Sequence, residues 1–198
     1  MPKLNVLIAG STGYIGIQLV KLLIKHKYVN IKYLCGNASV GKNISYYDKS
    51  LSNKKLPKII KFNKLFLKNI DVIFTALPNG EAQDIAKHLS NNVTLIDLSA
   101  DFRLTKSSDY LKWYKRKHRA INYIKKSIYS LPEIYRMLLI SYQIIFCLLC
   151  YPTLILLPLI PLFHSRLIKV KNVILDSNSG YSCAGRGVHK KFEKKNLY

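Results

Sequence analysis

Acidic residues are scarce in this sequence. Ten Asp and Glu residues stand against 32 Lys and Arg residues, so the formal net charge at pH 7 is +22. A surplus of this size is typical of proteins that bind nucleic acid or anionic membranes. Arginine is scarce too, however, and the lysines are spread through every segment. We therefore interpret the charge as a compositional bias and expect no nucleic-acid partner.

Cysteine is also rare, with four residues in the chain. That number is too small for a domain held together by disulfides. No charged stretch followed by an apolar one precedes the first predicted strand, so the start of the sequence lacks the pattern of a secretory signal peptide. We therefore expect a cytoplasmic protein.

Short apolar segments alternate with amphipathic ones over the first hundred residues. The apolar runs predicted to be buried strands are Leu4–Ala9, Ile31–Leu34, Asp71–Ala76 and Thr94–Leu98. Apolar residues at helical spacing predict helices over Ile15–Lys25 and Glu81–His88, whereas Lys42–Lys68 is predicted to be exposed and partly helical. Strands that alternate with helices pair in parallel. The sequence thus predicts an α/β protein with a Rossmann-like, doubly wound parallel sheet.

A long apolar run extends from Met137 to Phe163, and its 20 uncharged residues from Ile144 to Phe163 are enough to cross a bilayer. It also contains Pro152, Pro158 and Pro161 and has basic residues on both sides. We interpret it as a buried strand, a turn and a core helix that opens near Pro152, with a small membrane-associated protein as the alternative. This division predicts a dinucleotide-binding domain over residues 1–145 and the start of an α+β substrate domain over 146–198.

A glycine-rich loop joins the first predicted strand to the first predicted helix. Its residues are Gly10, Ser11, Thr12, Gly13, Tyr14, Ile15 and Gly16. Glycines at this spacing let the backbone turn sharply and approach a pyrophosphate, to which the helix N-terminus then offers N–H groups. The loop predicts a dinucleotide site.

The segment after the second predicted strand indicates which dinucleotide is bound. An NAD site places an acidic side chain there to hold the ribose 2′-hydroxyl. Cys35–Lys42 contains no carboxylate, so NADP is favoured. The residues that we predict to contact it, besides the glycine loop, are Asn37, Ser39, Lys42 and Pro78.

Several further motifs resemble the N-acetyl-gamma-glutamyl-phosphate reductase family of arginine biosynthesis, which is related to aspartate-semialdehyde dehydrogenase. They agree in order and spacing over nearly the whole chain, and they are Gly10–Gly16, Ala76–Gly80, Asp97–Leu104, Trp113–Tyr114 with His118, Tyr129–Glu133, Cys150–Thr153 and Ser179–Arg186. The resemblance implies NADPH-dependent reduction of a small-molecule substrate, N-acetyl-gamma-glutamyl phosphate, to a semialdehyde through a cysteine thioester. It also implies a homo-oligomer in the full-length form.

The resemblance implies roles for single residues. Cys150 matches the family's nucleophile, and Ser99, Arg103, Ser182 and Arg186 match stretches that line the substrate site. Pro152 suits the first turn of a helix, which would place Cys150 at a helix N-terminus, where the helix dipole favours the thiolate.

Two departures from the family pattern bear on activity. Cys147-Leu148-Leu149 stands where the family has Asn-Pro-Gly, and no histidine of this chain matches the family's acid/base motif. The resemblance therefore implies that this chain alone is nearly inactive, and a non-catalytic nucleotide-binding remnant is the alternative. The spacing of Cys147 and Cys150 also suits a redox pair or half of a zinc site, but no second half accompanies it, and we expect no metal.

Overall fold

A computed structural model describes residues 2–180 of the chain. The described residues divide into two compact units, which belong to the ranges Met1–Cys147 and Leu148–Tyr198. The first unit contains a seven-stranded sheet in which every neighbouring pair is parallel. Its strands are β1 (Leu4–Ala9), β2 (Val29–Cys35), β3 (Ile59–Ile60), β4 (Val72–Thr75), β5 (Thr94–Asp97), β6 (Ser127–Ser130) and β7 (Ile144–Cys147).

Helices connect these strands. They are α1 (Tyr14–Leu23), α2 (Glu81–Ala86), α3 (Ser107–Tyr114), α4 (Ile121–Ile124) and α5 (Pro132–Leu139), and α6 (Cys150–His164) belongs to the second unit. The predicted α/β fold with a parallel sheet is confirmed. The inner strand β1 is buried from Val6 to Ala9. These four residues are all apolar, as expected of a parallel strand that is covered on both faces.

The strand order is β3-β2-β1-β4-β5-β7-β6. From β1 the chain moves outward to β2 and β3, then returns to the other side of β1 and continues through β4 and β5. The direction of winding therefore reverses between β1 and β4. In open α/β sheets, ligands bind at such a reversal, beyond the carboxyl ends of the strands.

Two strands, β3 and β6, are not predicted from the sequence. Strand β3 has two residues and lies inside the Lys- and Asn-rich segment 42–68, which otherwise forms three short 3₁₀ turns, Ile44–Tyr46, Lys49–Leu51 and Lys64–Asn69. Strand β6 lies at the edge of the sheet and begins and ends with serine. Neither strand has an apolar run long enough to be recognised in the sequence.

Within the described part of the second unit, α6 begins at Cys150, as predicted from Pro152. The expectation of a core helix was wrong, since none of the side chains of α6 is buried. The physical reason is that residues 165–180 form no helix or strand against which α6 could pack. In the described range 2–180, no helix is both long enough and apolar enough to span a membrane.

Candidate active site

The glycine loop turns tightly at the carboxyl end of β1. Gly10 has φ +83°, a left-handed conformation that glycine adopts without strain. A Cβ atom on Gly10 would lie 2.2 Å from the carbonyl oxygen of Ala76, and one on Gly16 would lie 2.2 Å from the carbonyl oxygen of Gly10. The loop therefore requires glycine at both positions, because the backbone segments approach too closely for any side chain.

A single carbonyl oxygen ties this loop to β2. The backbone N–H groups of Gly10 and Ser11 donate to the Cys35 oxygen at 3.0 and 3.1 Å, and the buried Ser11 hydroxyl donates to it at 3.1 Å. Helix α1 starts directly after Gly13, and its first turn has neither an acidic residue nor a side-chain cap among the described residues. The positive end of α1 is thus held in a fixed position and available to an anion.

A cleft of about 350 Å³ opens beside the loop, at the carboxyl ends of β1, β2 and β3. Apolar side chains and small backbone groups line most of it, with charged or titratable groups at its rim. The lining residues are Ala9, Gly10, Cys35, Gly36, Asn37, Lys61, Phe62, Leu77, Glu81, Asp84, Ile85 and His88. An apolar cleft beside a glycine loop and a helix N-terminus fits a dinucleotide in shape and chemistry.

The other predicted cofactor residues occupy different positions. Asn37 lines the cleft, whereas Ser39 is buried and its hydroxyl accepts a 2.6 Å hydrogen bond from Tyr47. The ammonium of Lys42 lies 4.4 Å from the ring centre of Tyr46, and Lys42 is absent from the described lining of the cleft. The carbonyl of Pro78 accepts from Glu81 N–H at 3.2 Å. Lys61 also lines the cleft, but the sequence gives no sign of it, because the two-residue strand β3 has no pattern that places its end at this edge.

The segment Asp97–Leu104, called the Asp97 loop below, begins at the last residue of β5. Asp97 is buried and accepts hydrogen bonds from the Thr75 hydroxyl at 2.7 Å and from the Ser99 N–H and hydroxyl at 3.0 Å each. Burial raises the pKa of Asp97 above its usual value, and the hydrogen bonds from Thr75 and Ser99 shift this pKa in the opposite direction. Since the Ser99 hydroxyl donates its proton to Asp97, it can offer a ligand only an acceptor in this conformation.

Asp101 joins the Asp97 loop to the start of α2. Its Oδ1 accepts from the Gly80 N–H at 2.6 Å, the Tyr110 hydroxyl at 2.9 Å and the Gln83 side chain at 3.0 Å. Its Oδ2 accepts from the N–H groups of Ala82 and Gln83 at 3.0 and 3.3 Å. A fully buried carboxyl group thus satisfies helix N–H groups that have no partner within the helix.

His118 packs against this loop in a defined protonation state. The Ala120 N–H donates to Nδ1 at 3.2 Å, so the proton lies on Nε2, which donates to the Asp101 carbonyl oxygen at 2.9 Å. Burial lowers the pKa of His118, which favours the neutral ring. Both ring nitrogens are therefore occupied, and His118 orders the loop instead of moving protons.

The guanidinium group of Arg103 is unusual in its burial and its hydrogen bonding. Its Nε is buried and has no hydrogen-bond partner among residues 2–180, while its carbon Cζ lies 5.3 Å from the ring centre of Phe146. Tyr129 stacks on the same Phe146 ring at 5.0 Å. Burial raises the pKa of Tyr129, and the nearby Arg103 charge opposes that rise. A buried, unpaired N–H donor at the carboxyl edge of the sheet indicates a place for an anionic ligand.

The cysteines of the described chain differ in exposure. Burial raises the pKa of Cys35 to about 12 and that of Cys147 to about 11, with the Asp97 charge adding to the second shift. Cys150 is exposed as the first residue of α6. It lines a groove of about 600 Å³ within the second unit, together with Ser179 and Gly180. No group of three or more His, Cys, Asp or Glu side chains in range 2–180 is arranged to hold a metal ion.

The groove brings Cys150 next to the start of the Ser179–Arg186 motif. Of the predicted substrate residues in that motif, Ser182 and Arg186 lie outside the described residues.

Pulsed alkylation of the folded chain is expected to label Cys150 at least about tenfold faster than Cys35 or Cys147, because only an exposed thiolate reacts. Mass spectrometry of the digested protein measures each site. Unfolding in urea supplies the control, since the three thiols should then react at similar rates. Equal labelling of Cys35 or Cys147 in the folded protein contradicts the assignment of Cys150 as the accessible nucleophile.

Comparison with known proteins gives matches over both units. Residues 5–141 match the family described as "Semialdehyde dehydrogenase, NAD binding domain", and residues 150–198 match "Semialdehyde dehydrogenase, dimerisation domain". The N-acetyl-gamma-glutamyl-phosphate reductase of Ehrlichia ruminantium (strain Gardel) is 41% identical over 96% of this chain and 55% of its own length. A relative from Oryza sativa subsp. japonica, named as a probable chloroplastic enzyme of that kind, is 35% identical over 99% of this chain and 46% of its own. The chain spans about half the length of these curated relatives.

A solved structure shares the fold. Aspartate semialdehyde dehydrogenase from Francisella tularensis superposes with a TM-score of 0.63 and 14% sequence identity, covering 97% of this chain and 49% of the other.

Proposed function

Because this chain belongs to the semialdehyde dehydrogenase family, we propose that it forms the NADPH-binding and acyl-accepting part of an N-acetyl-gamma-glutamyl-phosphate reductase. The observation that carries the proposal is the glycine loop, which is closed against β4 and opens into a cleft beside the N-terminus of α1. The names of the relatives support the choice of substrate. The match to a dimerisation domain supports a homo-oligomer.

The first unit is the one that binds a nicotinamide dinucleotide. We propose that Gly10–Gly16 holds its pyrophosphate and that the apolar walls of the cleft, including Phe62 and Ile85, hold its adenosine end. The bound dinucleotide supplies a hydride. We expect NADPH to bind more tightly than NADH, because no carboxylate of Cys35–Lys42 is available for a free 2′-hydroxyl.

The proposed chemistry of the substrate begins at Cys150. The thiolate sulfur attacks the acyl carbonyl carbon, the bond from that carbon to the phosphate oxygen breaks, and inorganic phosphate leaves with the bonding electrons. The product on the protein is a thioester, which hydride addition converts to the aldehyde and the free thiolate. Arg103, with its unpaired Nε, is the proposed ligand for an anionic group of the substrate, and Ser99, Ser182 and Arg186 are its proposed companions.

Acylation of Cys150 tests the proposal without requiring the hydride step. Incubation of the purified chain with N-acetyl-gamma-glutamyl phosphate is expected to release phosphate and to add one N-acetylglutamyl group to Cys150, seen by mass spectrometry. C150S should show neither signal, because a hydroxyl at this position lacks the nucleophilicity of a thiolate.

C147S is the matched control, since it removes the neighbouring thiol and should leave acylation intact. β-Aspartyl phosphate, which is one methylene shorter and lacks the acetyl group, should react more slowly. Acylation at a cysteine other than Cys150, or equal rates with both acyl phosphates, contradicts the proposed function.

A further inference from the structure

We infer that Lys61 selects the phosphorylated form of the dinucleotide, an inference that rests on the proposed function. Lys61 is the first residue after β3 and lines the cleft together with Gly36 and Asn37. The Gly36 N–H donates to the Ile60 carbonyl oxygen at 3.0 Å. That hydrogen bond fixes the turn after β2 beside the end of β3, so that Asn37 and Lys61 share one rim of the cleft.

Lys42, which the sequence favours for this role, is held elsewhere. Its carbonyl accepts from the Ile59 N–H at 2.9 Å, and the Gly41 N–H donates to the Ile59 carbonyl at 2.8 Å. These two hydrogen bonds pair the backbone of Gly41 and Lys42 with Ile59, the first residue of β3. Its ammonium is positioned over the exposed ring of Tyr46 at 4.4 Å. The charge of Lys42 is therefore directed to a tyrosine face.

Three other titratable groups line the cleft. Asp84 forms ion pairs of 2.6 and 3.2 Å with Arg119 and Lys87, which offset its negative charge. Glu81 at the start of α2 adds a negative charge, and His88, which follows α2, also lines the cleft. Lys61 is the one lysine or arginine among the described lining residues.

A phosphate monoester carries nearly two negative charges at neutral pH, whereas an unmodified ribose carries none. Lys61 can therefore form a charge-assisted contact with the 2′-phosphate of NADPH that NADH does not offer. The loss of this contact should appear in the affinity for one dinucleotide and not for the other.

Titration calorimetry on the full chain tests the inference with four probes: NADPH, NADH, 2′,5′-ADP and 5′-AMP. In K61Q the affinity for NADPH and 2′,5′-ADP is expected to fall about tenfold, with NADH and 5′-AMP changed less than about twofold. K61R should retain most of the preference because it keeps the charge. K58Q is the matched control: Lys58 is an exposed lysine that precedes β3 and does not line the cleft, so all four affinities should stay unchanged.

The outcomes separate the inference from the proposed function. A wild-type chain that binds neither dinucleotide, or both equally, overturns the proposed NADPH site and the inference with it. A wild-type preference for NADPH that survives in K61Q, or that K58Q removes equally well, overturns the role of Lys61 alone.

Discussion

Replacing Gly10 by alanine is expected to destabilise the fold by about 3 kcal/mol or more and to weaken NADPH binding at least about tenfold. Two effects combine at this position. An L-residue at φ +83° costs about 1–2 kcal/mol, and the added Cβ would lie 2.2 Å from the Ala76 oxygen. Relief of that overlap must separate the loop from β4, which moves the N–H groups that we propose to face the pyrophosphate. Urea unfolding and calorimetry measure the two quantities.

Gly41 offers a matched control for the first effect. Its φ of +84° is nearly the same, but a Cβ atom there meets nothing within 4 Å among the described residues. G41A should therefore cost about 1–2 kcal/mol and leave dinucleotide affinity within about twofold. Equal losses of stability in G10A and G41A would show that backbone conformation, and not the close approach to Ala76, makes glycine necessary.

Replacing Asp101 by alanine is expected to lower the free energy of unfolding by about 3–5 kcal/mol. The variant leaves five donors without an acceptor, among them the Gly80 N–H and the Tyr110 hydroxyl. Burial and the hydrogen bond to Asp101 also raise the pKa of Tyr110. Arg103 follows in the same loop, so its guanidinium should lose its fixed position over Phe146.

Urea unfolding of D101A and D101N measures this effect. D101N keeps one acceptor oxygen and should lose less stability than D101A. D176A is the control, because Asp176 is exposed and its removal should change stability by about 0.5 kcal/mol or less. A loss below about 1 kcal/mol in D101A would mean that water or neighbouring groups replace the carboxylate.

The parts of the fold that the sequence predicts correctly have strong local signals. Strand β1 is a run of apolar residues that ends in the glycine loop, and α1 follows with apolar residues at helical spacing. Strand β3 has no such signal, since its two isoleucines gain their place only by pairing with Leu34 and Cys35. Such pairing depends on residues far away in the sequence, which no local pattern records.

The candidate site likewise contains features that the sequence predicts and features that it does not. The turn at Gly10 follows from glycine spacing, because backbone geometry alone demands it. The position of Lys61 depends on β3, and the role of Asp101 as a cap depends on contact with α2, which begins twenty residues earlier in the chain. Lys42 stays a prediction: the sequence places a lysine in the expected segment, and in the structure its ammonium lies 4.4 Å from the ring centre of Tyr46.

The position of β7 between β5 and β6 affects how the first unit forms during translation. Strand β6 pairs with β7 and has no other neighbour in the sheet, yet it is synthesised first. A nascent chain that ends before Ile144 therefore exposes the free edge of β5 and carries β6 without a partner. Unpaired strand edges are templates for aggregation. Emergence of the four residues of β7 from the ribosome thus sets the moment at which the edge of β5 is covered and β6 gains its partner.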